Sequence, residues 1–497
     1  MADFPTMLFT SPGHIGRRFI QRAMLAIGLL LAAPLAAASP AMPNIILILA
    51  DDLGWRELGC YGQEKIQTPH IDRLAAGGMR FNQFHAGSAV CAPSRCNLLT
   101  GMHGGHAWIR NNHEVKSGRK DWFGGQMPLP EALPNIAKTL KQHGYATGCF
   151  GKWGLGAQES TGDPLKQGFD VFFGYNCQRN AHDLYPEYLE DNDRILRLEG
   201  NRRGQGRGQY APALIAGRAL DFIRQNKSRP FFLYYPTVLP HLPLQVPEEE
   251  LSRYRGKWPE TPYSAGSYQS HETPKACYAA MISMMDRHVG RIMDLLGELG
   301  LEENTVVLFT SDNGTTHLKE QVDYRFFDSV GPLRGLKGQL YEGGIRVPLV
   351  ARWPGKIPPG TASELVAAQY DLPATLAEIA GIPAGFPGDG ISILPTLLGR
   401  GEQQQKHDFL FWDFPGYGGQ IAVRMGHWKG IKRNLRNNPG AAMELYDLSK
   451  DAGETIDLAA KQPEIVREIE EIIARERVMP EVPAFRFGKY HESAAHP

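Results

Sequence analysis

Short apolar runs alternate with longer segments of helical periodicity along most of this chain. The apolar runs are 44–50, 145–150, 230–236, 305–310 and 346–351, and the segments with helical spacing are 70–76, 133–143, 211–225 and 275–299. Continuous apolar runs are typical of strands that are buried on both faces of a parallel sheet. The pattern predicts an α/β domain with a large, mostly parallel sheet flanked by helices.

The pattern of apolar and polar residues changes in two parts of the chain. Residues 154–210 have little periodicity and much Gly, Asn and Arg, which predicts long loops over one face of the domain, where binding groups often lie. Beyond about residue 395, short runs at 409–414, 421–425, 428–432 and 443–448 predict antiparallel strands. Val466, Ile469, Ile472 and Ile473 then mark an amphipathic helix. We therefore expect a main domain over 42–395 and a smaller C-terminal subdomain over 396–497.

Polar residues follow four of the predicted strands at the point where each strand ends. These residues are Asp51-Asp52, Lys152, His241 and Asp312-Asn313. Each has a simpler interpretation by itself, since Asp pairs cap turns, lysines are usually solvated and His241 stands between two prolines. In open parallel sheets, however, ligands bind outside the carboxyl ends of the strands. The pattern indicates one shared binding site.

Net charge adds little to this picture. The chain of 497 residues contains 53 basic and 53 acidic residues, so no overall field attracts nucleic acid or a membrane surface. The kind of ligand must therefore depend on charged residues near the binding site.

The N-terminus is typical of an export signal. Arg17, Arg18 and Arg22 precede an apolar run over 23–35, and cleavage is expected near Ala38. The run is short for a bilayer span, although an uncleaved anchor is the alternative. Residues 1–38 are thus predicted to be a signal peptide, and the mature protein to be periplasmic or secreted.

The segment from Val90 to Gly101, VCAPSRCNLLTG, carries the strongest motif. It resembles the signature of the type I sulfatases, C-x-P-S-R followed by L-T-G, in which the cysteine is converted to formylglycine. A buried thiol ahead of an ordinary helix start is the alternative. The resemblance extends over most of the mature chain, to Trp428-Lys429 and the Glu444–Leu448 segment near the C-terminus. It implies the alkaline phosphatase-like α/β fold.

The resemblance also implies a metal site. In that family, the acidic pair after the first strand, the Asp-Asn of the S-D-N-G segment and the formylglycine hold one calcium ion. In this sequence those positions are Asp51, Asp52, Asp312, Asn313 and modified Cys91. A set of hard oxygen ligands suits Ca²⁺ or Mg²⁺.

The same resemblance assigns roles to four further residues, three of them in binding the sulfate group. Arg95 would pair with the metal carboxylates, and Lys152, Lys337 and His241 match the family's sulfate-binding lysines and histidine. The implied reaction is hydrolysis of a sulfate ester by a formylglycine hydrate, with a maturation enzyme as partner. Fixed cations would offset the charge of the sulfate as it builds up in the transition state.

One position departs from the family. Its lysine motif is often G-K-W-H-L-G, with the histidine as base of the step that releases sulfate, whereas this chain has Gly154 there. We take His182 as the candidate replacement, with recognition of the sugar or a loop cap as equally open roles. His106 and His317 are weaker candidates.

The motifs do not name the alcohol. Export and long loops favour sulfated carbohydrates, with small aryl sulfates as artificial substrates. The Arg-rich stretch 194–207 could approach a polyanionic glycan, or be merely solvated. Two rival functions share the scaffold, namely a phosphonate monoester or phosphodiester hydrolase and a non-catalytic glycan-binding protein.

Overall fold

The computed structural model describes residues 1–3, 5–8, 42–115, 125–264, 266–383 and 385–490. Every helix and strand below belongs to a compact unit that begins at Met42. The predicted signal peptide, with its apolar run 23–35 and its cleavage site near Ala38, lies outside the described residues and stays a prediction. No helix in the described part of the chain is long and apolar enough to cross a membrane.

Sixteen strands are present in the described ranges. In chain order they are β1 Asn44–Ala50, β2 Met79–Phe81, β3 Phe84–His85, β4 Ala146–Lys152, β5 Val171–Tyr175, β6 Tyr188–Asp191, β7 Arg194–Arg197, β8 Phe231–Pro236, β9 Thr305–Ser311, β10 Leu349–Arg352, β11 Thr361–Ser363, β12 Ala367–Ala368, β13 Leu410–Phe414, β14 Gln420–Met425, β15 Trp428–Lys432 and β16 Glu444–Asp447.

Ten of these strands form one mixed sheet in the order β11-β2-β10-β9-β1-β8-β4-β5-β6-β7. The five central strands, β9 to β5 in that order, run parallel, while β10, β6 and β7 add antiparallel pairs towards the two edges. This is the predicted large, mostly parallel sheet. The carboxyl ends of the central strands β9, β1, β8 and β4 therefore lie side by side along the same side of the sheet.

The α-helices cover both faces of the sheet. They are α1 Pro69–Ala76, α2 Cys91–Thr100, α3 Ile136–Gln142, α4 Ala211–Asn226, α5 Glu248–Leu251, α6 Pro274–Glu298, α7 Glu342–Ile345, α8 Leu372–Ile379, α9 Leu394–Leu397 and α10 Pro463–Glu476. Alternate residues of β1 belong to two different cores, since Ile46 and Ile48 pack with α1, α4 and α6 whereas Ile45 and Leu47 pack with α2, α3 and α8. Burial on both faces explains the unbroken apolar run of β1.

A smaller antiparallel sheet follows in the order β13-β14-β15-β16, and α10 packs on it through Ile469, Ile472 and Ile473. These are the strands and the helix predicted from the C-terminal pattern, and the predicted fold class is confirmed. The boundary at residue 395 stays a prediction.

The prediction of structureless loops over 154–210 was wrong. Three strands lie there, β5, β6 and β7, and they extend the main sheet. The apolar run Val171-Phe172-Phe173 is short and is followed by Gly174, so the sequence did not indicate a strand here. In the structure Phe172 packs in one of the two cores that flank the sheet, and Phe173 and Tyr175 pack in the other. The helix predicted over 133–143 is shorter, because Asn135 caps its start by accepting a hydrogen bond from Lys138 N.

Candidate active site

The candidate site is built where the four neighbouring strands end. Asp51 and Asp52 follow β1, Asp312 and Asn313 follow β9, and Lys152 is the last residue of β4. His241 lies in the loop after β8. Backbone hydrogen bonds continue the sheet into the site, since Asp312 N donates to Ala50 O at 3.0 Å and Asp51 N donates to Leu239 O at 3.1 Å.

The carboxylates form one buried cluster. Asp52 has a left-handed backbone with a φ of 63°, and its N–H donates to Asp312 Oδ1 at 3.1 Å. Asn313 Nδ2 donates to Asp52 Oδ1 at 2.8 Å. Asp is one of the few residues that tolerate a positive φ. This sharp turn brings residues from two strand ends together.

Cys91 is the first residue of α2, and its thiol is buried beside Asp51, with 3.4 Å between Sγ and Oδ1. Burial and the neighbouring carboxylates Asp312 and Asp51 raise the pKa of the thiol. The helix N-terminus by itself favours an anion at this position. The unmodified side chain is therefore a neutral thiol rather than the reactive thiolate.

Two cations, Arg95 and Lys152, pair with the buried carboxylates near Cys91. Arg95 stands one turn further along α2, and its Nη2 is 2.7 Å from Asp312 Oδ2. Arg95 Nη1 also donates to the backbone oxygen of Lys152 at 2.5 Å. Lys152 Nζ lies 2.6 Å from Asp51 Oδ2 and 3.4 Å from Cys91 Sγ. Burial alone would raise the pKa of Asp51, but the positive charges of Lys152, Arg95 and Lys337 hold that pKa well below its usual value.

Lys337 and His241 are also part of this cluster. Lys337 Nζ is 2.8 Å from Asp52 Oδ2, 3.2 Å from His241 Nε2 and 3.6 Å from Cys91 Sγ. Burial and the Lys337 charge lower the pKa of His241, so its ring is neutral. His241 Nδ1 lies 2.6 Å from Leu242 O and donates to it, which leaves Nε2 to accept from Lys337.

The cluster has the chemistry of a site for a hard dication. Asp51, Asp52, Cys91 and His241 each offer a ligand atom within 4.8 Å of the others. Asn313 Oδ1 is buried and has no hydrogen-bond partner among the described residues, although Nδ2 of the same amide is fully used. A buried acceptor without a donor is costly, and a cation would satisfy it. Carboxylate and amide oxygens fit Ca²⁺ or Mg²⁺.

A cavity of about 390 Å³ opens above Cys91. Its walls are almost entirely polar or aromatic: Val90, Cys91, Asn111, Asn112, His113, Glu114, Gln126, Gln178, Arg179, His182, His241, Tyr268, His317, Lys337 and Tyr417. Most of these residues have no motif in the sequence, because loops from distant parts of the chain bring them here.

The three further histidine candidates lie in different surroundings. His182 is stacked on His241, with 4.9 Å between the ring centroids and 12° between the planes. Burial, together with the positive charges of Lys152 and Lys337, lowers the pKa of His182 to about 2. His317 also lines the cavity. His106 lies outside it, where its Nδ1 is 2.9 Å from Asp389 Oδ1.

Two family models match this chain. The sulfatase model matches residues 43–382, which include Cys91 and all the carboxylates, lysines and histidines that surround it. The chain belongs to the sulfatase family. The model of the C-terminal part of N-sulphoglucosamine sulphohydrolase matches residues 334–478 of this sulfatase, including the small antiparallel sheet.

Named relatives agree with this assignment. Human arylsulfatase A is 34% identical, with 89% of each chain covered. An N-acetylgalactosamine-6-O-sulfatase of Bacteroides thetaiotaomicron is 30% identical, with 87% of this chain and 92% of the relative covered. The crystal structure of Ps i-CgsB with k-i-k-neocarrahexaose superposes with a TM-score of 0.71 at 25% identity, over 91% of this chain and 95% of the other. The predicted family and the class of sulfuric ester hydrolase are confirmed.

Proposed function

We propose that this sulfatase hydrolyses sulfate esters of carbohydrates, and small aryl sulfates as artificial substrates, with Cys91 converted to formylglycine and with calcium bound at Asp51, Asp52, Asp312 and Asn313. One observation carries the proposal. Lys152 Nζ and Lys337 Nζ both lie beside Cys91 Sγ, at 3.4 Å and 3.6 Å, and each also pairs with a buried carboxylate, Asp51 and Asp52 respectively. This arrangement suits an anion that must react at the side chain of Cys91.

The proposed cofactors supply the chemistry that the chain lacks. Calcium would polarise the oxygen nucleophile and offset the negative charge of the sulfate, and the aldehyde made from Cys91 would supply that nucleophile as its hydrate. The unpartnered Asn313 Oδ1 supports the metal site, and the position of Cys91 beside Asp51 supports attachment of the nucleophile next to the metal. Mg²⁺ fits the same ligands.

Charge balance in the site supports an anionic substrate. Three buried carboxylates, Asp51, Asp52 and Asp312, face three buried cations, Arg95, Lys152 and Lys337. A bound dication leaves the site positive by two charges. Because the site is shielded from water, this excess charge stabilises a sulfate oxyanion more strongly than it would at a surface.

The two stacked histidines are placed to handle protons. Neutral His241 is held by Leu242 O through Nδ1, so Nε2 faces Lys337 and the cavity. His182 lies above it, nearer the entrance. We propose that His241 contacts the bridging oxygen of the ester and that His182 takes up the proton in the release of sulfate. An anion bound beside these rings raises their proton affinity.

The relatives and the cavity entrance support a saccharide substrate. A bacterial relative is named for N-acetylgalactosamine 6-O-sulfate, and a structural neighbour was crystallised with a neocarrahexaose. At the entrance Arg179 lines the cavity, and Arg203 Nη2 donates to Arg179 O at 3.4 Å, so the Arg-rich loop reaches the rim. These side chains suit a substrate that carries anionic groups beyond the scissile one.

The test is a panel of defined sulfated mono- and oligosaccharides, assayed for sulfate release with enzyme matured in a host that makes formylglycine. Mass spectrometry of the Cys91 peptide measures the conversion in the same sample. Paired assays on phosphate diesters and phosphonate monoesters follow. We expect sulfate esters to be cleaved faster by at least about a hundredfold. Faster cleavage of the phosphorus substrates, or an unmodified Cys91 in active protein, would refute the proposal.

Two outcomes correspond to the rival functions. Preference for phosphonate monoesters or phosphodiesters would assign the site to that class of hydrolase. Saccharide binding without turnover, in protein whose Cys91 stays a thiol in its own host, would assign a non-catalytic glycan-binding role.

A further inference from the structure

The position that lacks the family's usual histidine is filled by another residue. Gly154 follows Lys152 by two residues and has a φ of +76°. A Cβ at this position would lie 2.6 Å from Nε2 and 3.0 Å from Cγ of Gln178. The volume that a side chain of residue 154 needs is therefore occupied by the Gln178 side chain. Glycine is required here both by the backbone conformation and by this neighbour.

The backbone N–H of Gln178 has a hydrogen-bond partner, whereas the nitrogen of its side-chain amide has none among the described residues. Its backbone N–H donates to Gln126 Oε1 at 2.9 Å, and the residue is only 4% exposed. Its Nε2 is fully buried and has no hydrogen-bond partner among the described residues. Gln178 lines the same cavity as Cys91, Lys337 and His241. Buried donors without an acceptor are rare in folded proteins and often mark a place where a ligand supplies the acceptor.

We propose that Gln178 is a substrate-binding residue whose Nε2–H donates a hydrogen bond to an oxygen of the bound sulfate group. This inference rests on the proposed function. The unused atom is a donor, and every free oxygen of a sulfate group is a charged acceptor, to which a hydrogen bond is stronger than to a neutral hydroxyl. A carboxamide carries no charge and takes up no proton near neutral pH. Gln178 therefore replaces the volume of the missing side chain and adds a contact, but it does not replace a base.

The first experiment compares the variant Gln178→Met with wild type. Met has a similar length and lacks the donor. Two quantities are measured on each protein: kcat/KM for a sulfate ester, and the dissociation constant of inorganic sulfate by calorimetry. We expect both to worsen by about tenfold to a hundredfold, the range for a hydrogen bond to a charged group. The matched control is Gln403→Met, an exposed glutamine in the C-terminal part, which should leave both quantities unchanged.

Thermal unfolding separates binding from a structural role. Because Nε2 has no partner among the described residues, replacing the amide by an apolar side chain removes an unsatisfied group, and the Tm of Gln178→Met should equal or exceed that of wild type. A structural role predicts a lower Tm. Lower activity together with an unchanged or raised Tm supports the proposal, whereas a lower Tm with unchanged sulfate affinity overturns it.

Two more variants test the direction of the hydrogen bond and the role of Gly154. Gln178→Glu retains an acceptor but places a carboxylate beside the sulfate, so sulfate affinity should fall at least as far as in Gln178→Met. Wild-type sulfate affinity in Gln178→Glu would mean that sulfate binding needs no donor at this position, and would overturn the proposal. Gly154→Ala displaces Nε2 and should reproduce the loss, with no further loss in the double variant with Gln178→Met. Fully additive losses of sulfate affinity in the double variant would contradict the interpretation that residues 154 and 178 compete for the same volume.

Failure of this inference is distinguishable from failure of the proposed function. A wild-type protein that releases no sulfate from any ester refutes the proposed function, while the calorimetric comparison still decides the role of Gln178. An active wild type whose kcat/KM and sulfate affinity are both unaffected by Gln178→Met refutes only the inference.

Discussion

Lys337 has two tasks in the proposed site, and the substitution Lys337→Ala separates them. In the free protein its Nζ neutralises Asp52, at 2.8 Å from Oδ2, and lies beside His241 Nε2 at 3.2 Å. With substrate bound, the same ammonium group would contact the sulfate. Removing it should destabilise the metal-free protein and also slow turnover. Calcium should correct only the first effect.

The magnitude follows from burial. Lys337 is 8% exposed and Asp52 is 2% exposed, so the substitution leaves a carboxylate buried without its cation. Breaking such a pair by removing one partner costs about 3–5 kcal/mol. An unfolding entropy of about 2.1 cal/mol/K per residue over the unit Met42–Pro497 gives about 1 kcal/mol/K. The Tm measured in a chelator should therefore fall by about 3–5 °C.

The assay is thermal unfolding of wild type and Lys337→Ala in EDTA and in millimolar calcium, together with sulfate release. The destabilisation should shrink in calcium, because the ion replaces the lost positive charge at Asp52. The value of kcat/KM should stay at least about a hundredfold below wild type, since a missing charge at a transition state costs about 3 kcal/mol or more. The exposed Lys319→Ala is the control. An unchanged Tm in EDTA, or full activity with calcium, would refute this account.

Three further predictions address single groups. Asn313→Leu removes the unpartnered acceptor, so the calcium concentration at the midpoint of the calcium-dependent Tm shift should rise by at least about tenfold; an unchanged midpoint excludes Asn313 as a ligand. His182→Ala should lower kcat by about 10²–10⁴-fold if the ring moves a proton, whereas a change confined to KM assigns it to substrate binding. Burial raises the pKa of Glu57 from 4.5 to about 7. The stability that the neutral carboxyl group of Glu57 gives the folded protein is therefore fully present below about pH 4.5 and is lost as the pH rises to about 7. The Tm of Glu57→Gln relative to wild type should thus increase between pH 5 and pH 8, unlike that of the exposed Glu298→Gln, and a pH-independent difference would contradict the shift.

The sequence allowed the fold and the position of the site to be predicted because both depend on short, local signals. The apolar runs of β1, β8 and β9 are visible in the sequence since these strands are buried on both faces. The polar residues that follow these strands indicate that the candidate site lies at their carboxyl ends. That Asp52, Asp312 and Asn313 meet within hydrogen-bonding distance is a consequence of this topology.

Other features depend on conformation and could not be predicted. The positive φ of Asp52 and the contact between Gly154 and Gln178 are set by how loops pack, not by residue type. Gly154 was visible in the sequence only as a missing histidine, and nothing indicated which side chain takes its place. The strands β5 to β7 were missed for a related reason, because two of them are only four residues long and their pairing partners are settled by the sheet they join.

The arrangement of charges links the metal and the substrate. In the protein without ligands, Lys152 and Lys337 pair with Asp51 and Asp52, the carboxylates that would bind a dication. A cation held by those carboxylates weakens their attraction for the lysines, and both ammonium groups already lie within 3.6 Å of Cys91 Sγ. The lysines then become available to an anion at the site of reaction, and the neutral amide of Gln178 adds a donor without adding charge. On the proposed function, a sulfate ester would meet a positive site only when the metal is bound, and by thermodynamic linkage the ester would strengthen metal binding in return.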